Sequence, residues 1–201
     1  MGKKVLVVGA TGTLGRALVH EAANRYDIVQ VGRTRGAHHV DITDSASIRA
    51  LFAAVGRIDA IVSVTGQLHF GPLTEMTAEQ FRIGLNDKLL GQVDLALIGQ
   101  HHLSDGGSIT LTSGIVADEP IRFGANATTV NAALEGFVRA AAVELGRGQR
   151  INAVSPTVLQ ESLPTYGPFF AGFEAVPGSR VALAYVRSIE GAQSGKVYRV
   201  W

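Results

Sequence analysis

An open, doubly wound parallel α/β sheet in three layers is the fold this sequence predicts. Strand-like and helix-like segments alternate along the chain, and each parallel strand pairing needs a right-handed crossover of that kind. Residues 58–64 form a near-continuous apolar run, as expected of a central strand covered on both faces. The first strand ends in Gly9-Ala-Thr-Gly12-Thr-Leu-Gly15, a glycine-rich turn that leads straight into a helix.

Residues 3–9 are short, β-branched and apolar, and Leu14, Ala17, Leu18 and Ala22 then recur at helical spacing. A second strand is predicted over 28–31 and a third over 39–42, with almost no room for a helix between them. Residues 45–55 read as a small helix. After the central strand, 77–83 and 85–100 read as helix, the latter with Leu85, Leu89, Val93, Ala96 and Leu97 on one apolar stripe. Residues 108–112 are a fifth strand. The clearest helix spans 128–145, where Val130, Leu134, Phe137, Val138 and Ala141 share a face that Gly146 and Gly148 bring to an end. A sixth strand (150–154), a loop-rich stretch (157–177), a helix (181–189) and a last strand (196–200) complete the chain. With 201 residues and no linker or repeat, one domain over 1–201 is expected.

A formal charge of +1 offers no broad basic face for nucleic acid, so the expected partner is a small molecule. The chain has no cysteine, which excludes a disulfide framework, thiolate zinc sites and a cysteine nucleophile, and fits a cytoplasmic protein. The apolar run at 5–10 is too short for a membrane span or a signal peptide. No metal is expected, since His38-His39 and His101-His102 lack the spacing that puts two imidazoles on one ion.

Gly9, Thr11, Gly12, Thr13, Leu14 and Gly15 are the expected pyrophosphate cradle. Glycines let the backbone turn sharply, and the helix that follows presents unpaired N–H groups and a partial positive charge. In NAD sites an acid at the end of the second strand bonds the ribose hydroxyls, whereas a 2′-phosphate prefers a cation there. This chain has Gly32-Arg33-Thr34-Arg35 at that place. Arg33 brings a planar multi-donor fork and Thr34 a hydroxyl, which points to NADP(H) rather than NAD(H). The plainer alternative is a pair of solvated arginines. Asp41 either accepts from the adenine amino group or caps the turn before Ser45.

Together with this turn, Ser63-Val-Thr-Gly66, Gly107-Ser-Ile-Thr-Leu-Thr-Ser113, Ala132-Ala-Leu-Glu-Gly-Phe137 and Ile151-Asn-Ala-Val-Ser-Pro156 fall in the order found in short-chain dehydrogenases/reductases. Over essentially its whole length the chain resembles that family. The resemblance implies a Rossmann-type sheet of about seven strands, and a nicotinamide coenzyme lying across the strand ends. It also implies a homodimer or homotetramer built on the two long helices, and a substrate lid at 157–177. It extends the expected coenzyme contacts to Ile42, Thr65, Gly66, Pro156 and Leu159, and matches Ser113 to the serine that bonds the substrate oxygen.

The family's YxxxK pair does not carry over, because Ala127 and Asn131 stand where its tyrosine and lysine belong. Lys88 takes the place of a supporting asparagine, and Thr157 replaces a glycine after Pro156. General acid assistance is typically worth ~10²–10⁴-fold, so another group must supply it or the chemistry is lost. Lys88 beside Ser113 is the first substitute, either electrostatic or merely space-filling; Tyr166 and His69 are the others. Three functions follow: an oxidoreductase moving hydride between NADP(H) and a carbonyl or alcohol through Ser113 and Lys88, a non-catalytic NADP(H)-binding sensor or partner protein, or a different reaction, such as isomerisation, that needs no tyrosine. Phe169, Phe170 and Phe173 either line an apolar ligand site or pack the lid to the body.

Overall fold

In the computed structural model of the protein, which describes residues 2–201, the elements run β1 (Lys4–Val8), α1 (Thr13–Ala22), β2 (Asp27–Gly32), β3 (His38–His39), α2 (Ser45–Val55), β4 (Ile58–Ser63), α3 (Ala78–Gly84), α4 (Gly91–Gly99), β5 (Leu103–Thr112), α5 (Ala125–Glu144), β6 (Arg150–Pro156), α6 (Leu163–Tyr166), α7 (Gly178–Glu190) and β7 (Val197–Val200). The strands pair in parallel as one seven-stranded sheet, in the order β3-β2-β1-β4-β5-β6-β7. The predicted Rossmann-type architecture is therefore present, with β4 in the middle position. The chain reverses its direction of travel across the sheet between β1 and β4, and the carboxyl ends of strands at such a switch point open a ligand crevice.

Alternation along the strands divides the core in two. Leu6 and Val8 of β1 face one side, with Phe52 of α2, Leu95 of α4 and Leu134 of α5. Val5 and Val7 face the other, with Leu18 of α1 and Val181 and Tyr185 of α7. The glycine turn makes the crossover from β1 to α1 possible. Gly9 has φ +90°, and a Cβ there would lie 2.6 Å from the Val64 carbonyl oxygen. A Cβ on Gly15 would lie 2.1 Å from the Gly9 oxygen, so α1 rests on the turn at backbone contact.

Beside an earlier start of β5, at Leu103, and the short α6 within the predicted loop, two differences from the sequence prediction shape the site. The third strand is shortened to His38–His39, and Val40, Asp41 and Ile42 leave the ladder to line the crevice. The predicted helical stripe is also rotated, because Leu85–Leu90 forms a turn of π-helix joining α3 to α4. A π turn carries one residue more than an α turn and re-phases everything beyond it. Ala96 is buried as predicted and Leu85 and Leu89 pack against the core, but Gly91, Gln92, Leu95 and Gly99 are buried in addition and Leu97 is 49% exposed. Among the described residues no helix is long and apolar enough to cross a membrane.

Candidate active site

Ser113 sits immediately after β5, held from three directions. Its N–H donates to the Val154 oxygen of β6 at 2.9 Å. The Gln92 side chain of α4 brackets the preceding residue, donating to the Thr112 oxygen at 3.0 Å and accepting from the Thr112 N–H at 2.9 Å. Lys88 Nζ donates to the Ser113 carbonyl oxygen at 3.1 Å. Fully paired buried groups of this kind fix one geometry, since leaving any of them unpaired is costly.

Lys88 lies in the π turn and is only 8% exposed. Its stem passes directly over Gly66, where φ is +122° and a Cβ would sit 2.5 Å from Lys88 Cγ. The Gly66 backbone therefore has to be bare for the lysine to reach the site. Burial pushes the Lys88 ammonium down to about 8, and among the described residues no carboxylate forms an ion pair with it.

The Ser113 hydroxyl donates to Glu135 Oε1 at 2.9 Å. Glu135, on α5, is 5% exposed, and burial raises its carboxyl above the usual range while the Ser113 hydrogen bond opposes the rise. Asn131 and Ala127, one and two turns before it, are also buried, and among the described residues Asn131 Oδ1 has no hydrogen-bond partner. Ser113, Lys88, Ala127 and Asn131 line a cavity of about 380 Å³ whose apolar wall includes Ile115, Val116 and Phe170.

A second cleft, of about 530 Å³, runs across the strand ends from the glycine turn. Gly9, Gly12, Thr13, Leu14, Arg33, Asp41, Ile42, Thr65, Gly66 and Leu159 line it. Thr11, Gly15 and Thr34 do not: Gly15 is spent on helix packing, and Thr34 is exposed beyond β2. Pro156 borders the neighbouring cavity instead. Arg33 pairs with Asp41 at 3.1 Å, and both side chains are substantially exposed. Thr43, through its hydroxyl and backbone N–H, and then Arg33 hold the Asp41 carboxyl below its ordinary range. Asp41 thereby caps the turn before Ser45, accepting from the Thr43 N–H at 3.0 Å, while Asp44 caps the helix itself, accepting from the Ala46 N–H at 2.8 Å.

The other sequence candidates are divided between the two cavities and the body. Tyr166 reaches both cavities but is 42% exposed. His69 lines neither; its N–H is tied to Asn126 Oδ1 at 3.0 Å. In the segment over the cavity, Phe170 faces inward, Phe169 packs on Phe70 at 5.2 Å between ring centres, and Phe173 packs edge-on to Phe170. Among the described residues no group of three or more His, Cys, Asp or Glu side chains is arranged to hold a metal ion. Sequence reasoning missed Glu135 and Gln92, both polar residues inside helices that read as apolar. The only available signal was an acid on the buried face of the clearest helix.

Comparison with known proteins agrees with this geometry. The enoyl-(acyl carrier protein) reductase family profile matches residues 1–190. Hydroxynaphthalene reductase arp2 of Aspergillus fumigatus is 31% identical over 153 residues, which are 72% of this chain and 56% of arp2, so the match spans just over half of that relative. The crystal structure of the protein lin1944 from Listeria innocua superposes over the whole of both chains with a TM-score of 0.98 at 45% identity. A small-chain dehydrogenase in complex with NADPH shares the fold at 24% identity, with a TM-score of 0.88 over 100% of this chain and 97% of its own. The order of strands, the glycine turn, the buried serine after β5 and these matches lead to one conclusion: the chain belongs to the short-chain dehydrogenase/reductase family.

Proposed function

We propose that the protein is an NADP(H)-dependent oxidoreductase acting on a carbonyl or alcohol, with Ser113 and Lys88 at the reacting oxygen. The observation that carries this is the continuity of the two cavities: Gly66, Lys88, Leu159 and Tyr166 line both, so a coenzyme in the cleft abuts a substrate in the pocket. The residues present fit a dinucleotide. Gly12 caps α1 with no side-chain hydrogen bond, and the first turn of α1 has no acid to repel a phosphate. When bound, the nicotinamide supplies or takes the hydride.

The chain's own contribution is electrostatic. Negative charge develops on a carbonyl oxygen as it is reduced, and a buried ammonium beside it is worth far more than one in water. Lys88, titrating at about 8, carries that charge in full only below this value, so reduction should slow as pH rises through it. The hydroxynaphthalene reductase among the relatives and the Phe70 and Phe170 walls support an aromatic substrate. A spectrophotometric screen of NADPH oxidation against ketones, aldehydes and quinones, at several pH values, tests this reading. Confirmed NADPH binding without turnover of any class rejects it.

For the coenzyme, Arg33→Ala should weaken NADPH about tenfold or more, the scale of one charge-assisted hydrogen bond, and leave NADH nearly unchanged. Calorimetric titration with both coenzymes checks this, and equal weakening removes the 2′-phosphate role. A second reading, a non-catalytic NADP(H)-binding protein in the same cytoplasmic setting, is favoured by Ala127 and by the unpartnered Asn131 oxygen. Assembly into a homodimer or homotetramer belongs to the same proposal. Leu90, Leu97 and Val143 are exposed on the helices that would form the interface, and a monomer mass in sedimentation at micromolar concentration would remove it.

A further inference from the structure

We propose that Glu135 is a positioning residue that orients the Ser113 hydroxyl and holds the proton which that hydroxyl exchanges with substrate. This rests on the oxidoreductase reading and names a residue that reading does not include. A serine hydroxyl has a single proton, and here it points at Glu135 Oε1, 2.9 Å away. The lone pairs of Oγ are then what Ser113 offers to the cavity it lines. With Glu135 ionised, Ser113 can accept from an alcohol O–H but has nothing to donate to a carbonyl. With Glu135 protonated, the carboxyl donates to Oγ and Ser113 is free to donate to substrate.

The surroundings suit a group that changes protonation. Glu135 is 5% exposed, and its nearest cation, Arg139 on the same helix, stands 3.9 Å from Oε2 with a side chain that is 60% exposed. From the other packed elements it is faced by Asp118, after β5, and Arg199, on β7, which bond each other at 2.9 Å. Lys88 directs one of its three N–H groups to the Ser113 carbonyl oxygen and makes no ion pair with Glu135 among the described residues. Burial and the Asp118 charge favour the protonated carboxyl, whereas the Ser113 hydrogen bond and the two arginines favour the carboxylate. Burial is the largest of these influences, so the carboxyl is held above its ordinary range and binds a proton more readily than a free side chain does.

The step balances. In alcohol oxidation the carbon-bound hydrogen leaves with its electron pair as hydride to the nicotinamide. The substrate O–H proton passes to Ser113 Oγ as the serine's own proton passes to Glu135 Oε1. A carbonyl product and a protonated Glu135 remain, and solvent on the Arg139 side takes the proton. Reduction runs these transfers in reverse. Oxidation therefore needs the carboxylate and strengthens as pH rises, whereas reduction needs the acid and weakens.

Glu135→Gln distinguishes this role from a structural one. The glutamine keeps an oxygen to accept from Ser113 but cannot take a proton. Unchanged NADPH affinity and a melting temperature no lower than the parent's are expected, with kcat lowered by ~10²-fold or more and one limb of the pH profile removed. Partial recovery is expected in Glu135→Asp. Wild-type kcat and an unaltered pH profile in Glu135→Gln would overturn the proposal while leaving the oxidoreductase reading intact. Absence of any wild-type turnover would overturn that reading, and the proton transfer with it. A second measurement does not depend on activity: carbon NMR titration of the labelled Glu135 carboxyl should show its pKa rise in Ser113→Ala, because the hydroxyl's downward pull is gone. No change there would overturn the hydrogen-bond coupling on which the proposal stands.

Discussion

Lys88→Met should lower turnover by about 10²–10⁴-fold and at the same time make the protein more stable at neutral pH. Both effects follow from one buried charge. In the folded protein the ammonium titrates at about 8 instead of its ordinary 10.5, so the unfolded chain binds the Lys88 proton more tightly. Below pH 8 the fold carries the full cost of burying that charge, on the order of 3 kcal/mol. The cost shrinks as pH rises from 8 toward 10.5 and vanishes above. Methionine fills similar space without the charge; it loses the hydrogen bond to the Ser113 oxygen, about 1 kcal/mol, and leaves that oxygen less well satisfied. A net gain of about 1–2 kcal/mol is expected at pH 7, fading at pH 10. Urea denaturation at the two pH values measures it. A variant that is inactive and also less stable at pH 7 would show that Lys88 is a structural prop.

Gly15→Ala is expected to destabilise the protein by about 1–3 kcal/mol or more, and to weaken NADPH at least tenfold. The added methyl group would meet the Gly9 oxygen at 2.1 Å and Ala10 Cα at 2.7 Å. Neither is a side chain that can swing away. The start of α1 has to lift from β1, and the amides that would face a diphosphate lift with it. Gly12→Ala is the informative contrast: a Cβ there meets only the Gly9 oxygen, at 3.3 Å, and nothing else within 4 Å. Gly12→Ala should melt close to the parent yet still bind coenzyme poorly, because the new methyl stands where the phosphates would approach. Thermal melting and calorimetry on the pair separate packing from ligand contact. Equal loss of stability in both would contradict the different roles.

The fold was legible where local signals agree with the tertiary arrangement. The apolar run that became β4, the glycine turn before α1 and the buried face of α5 are read directly from residue type and spacing. The apolar stripe of α4 was not, because periodicity assumes a constant turn and the π turn at Leu85–Leu90 breaks it. Within the site, Ser113 was legible as a match to a known pattern and Lys88 as a departure from it, and the structure brings them within hydrogen-bond distance. Glu135 was invisible, since its meaning depends on a contact 22 residues away in sequence. Arg33 and Thr34 are adjacent in the chain, yet only Arg33 turns toward the cleft. No spacing rule distinguishes neighbours in an irregular loop.

The helix that carries Lys88 is pinned at both ends by missing side chains. Gly84 lies against Asn126, where a Cβ would sit 2.2 Å from Oδ1, and Gly91 lies against Ile42, where it would sit 2.8 Å from Cδ1. The surplus residue between these anchors has nowhere else to go. Deleting any one residue of this stretch other than Lys88 would force about 100° of rotation onto one anchor or onto the lysine. The charge at the heart of this protein is thus encoded by counting as much as by chemistry, and a one-codon deletion would silence it with every functional side chain still in the gene.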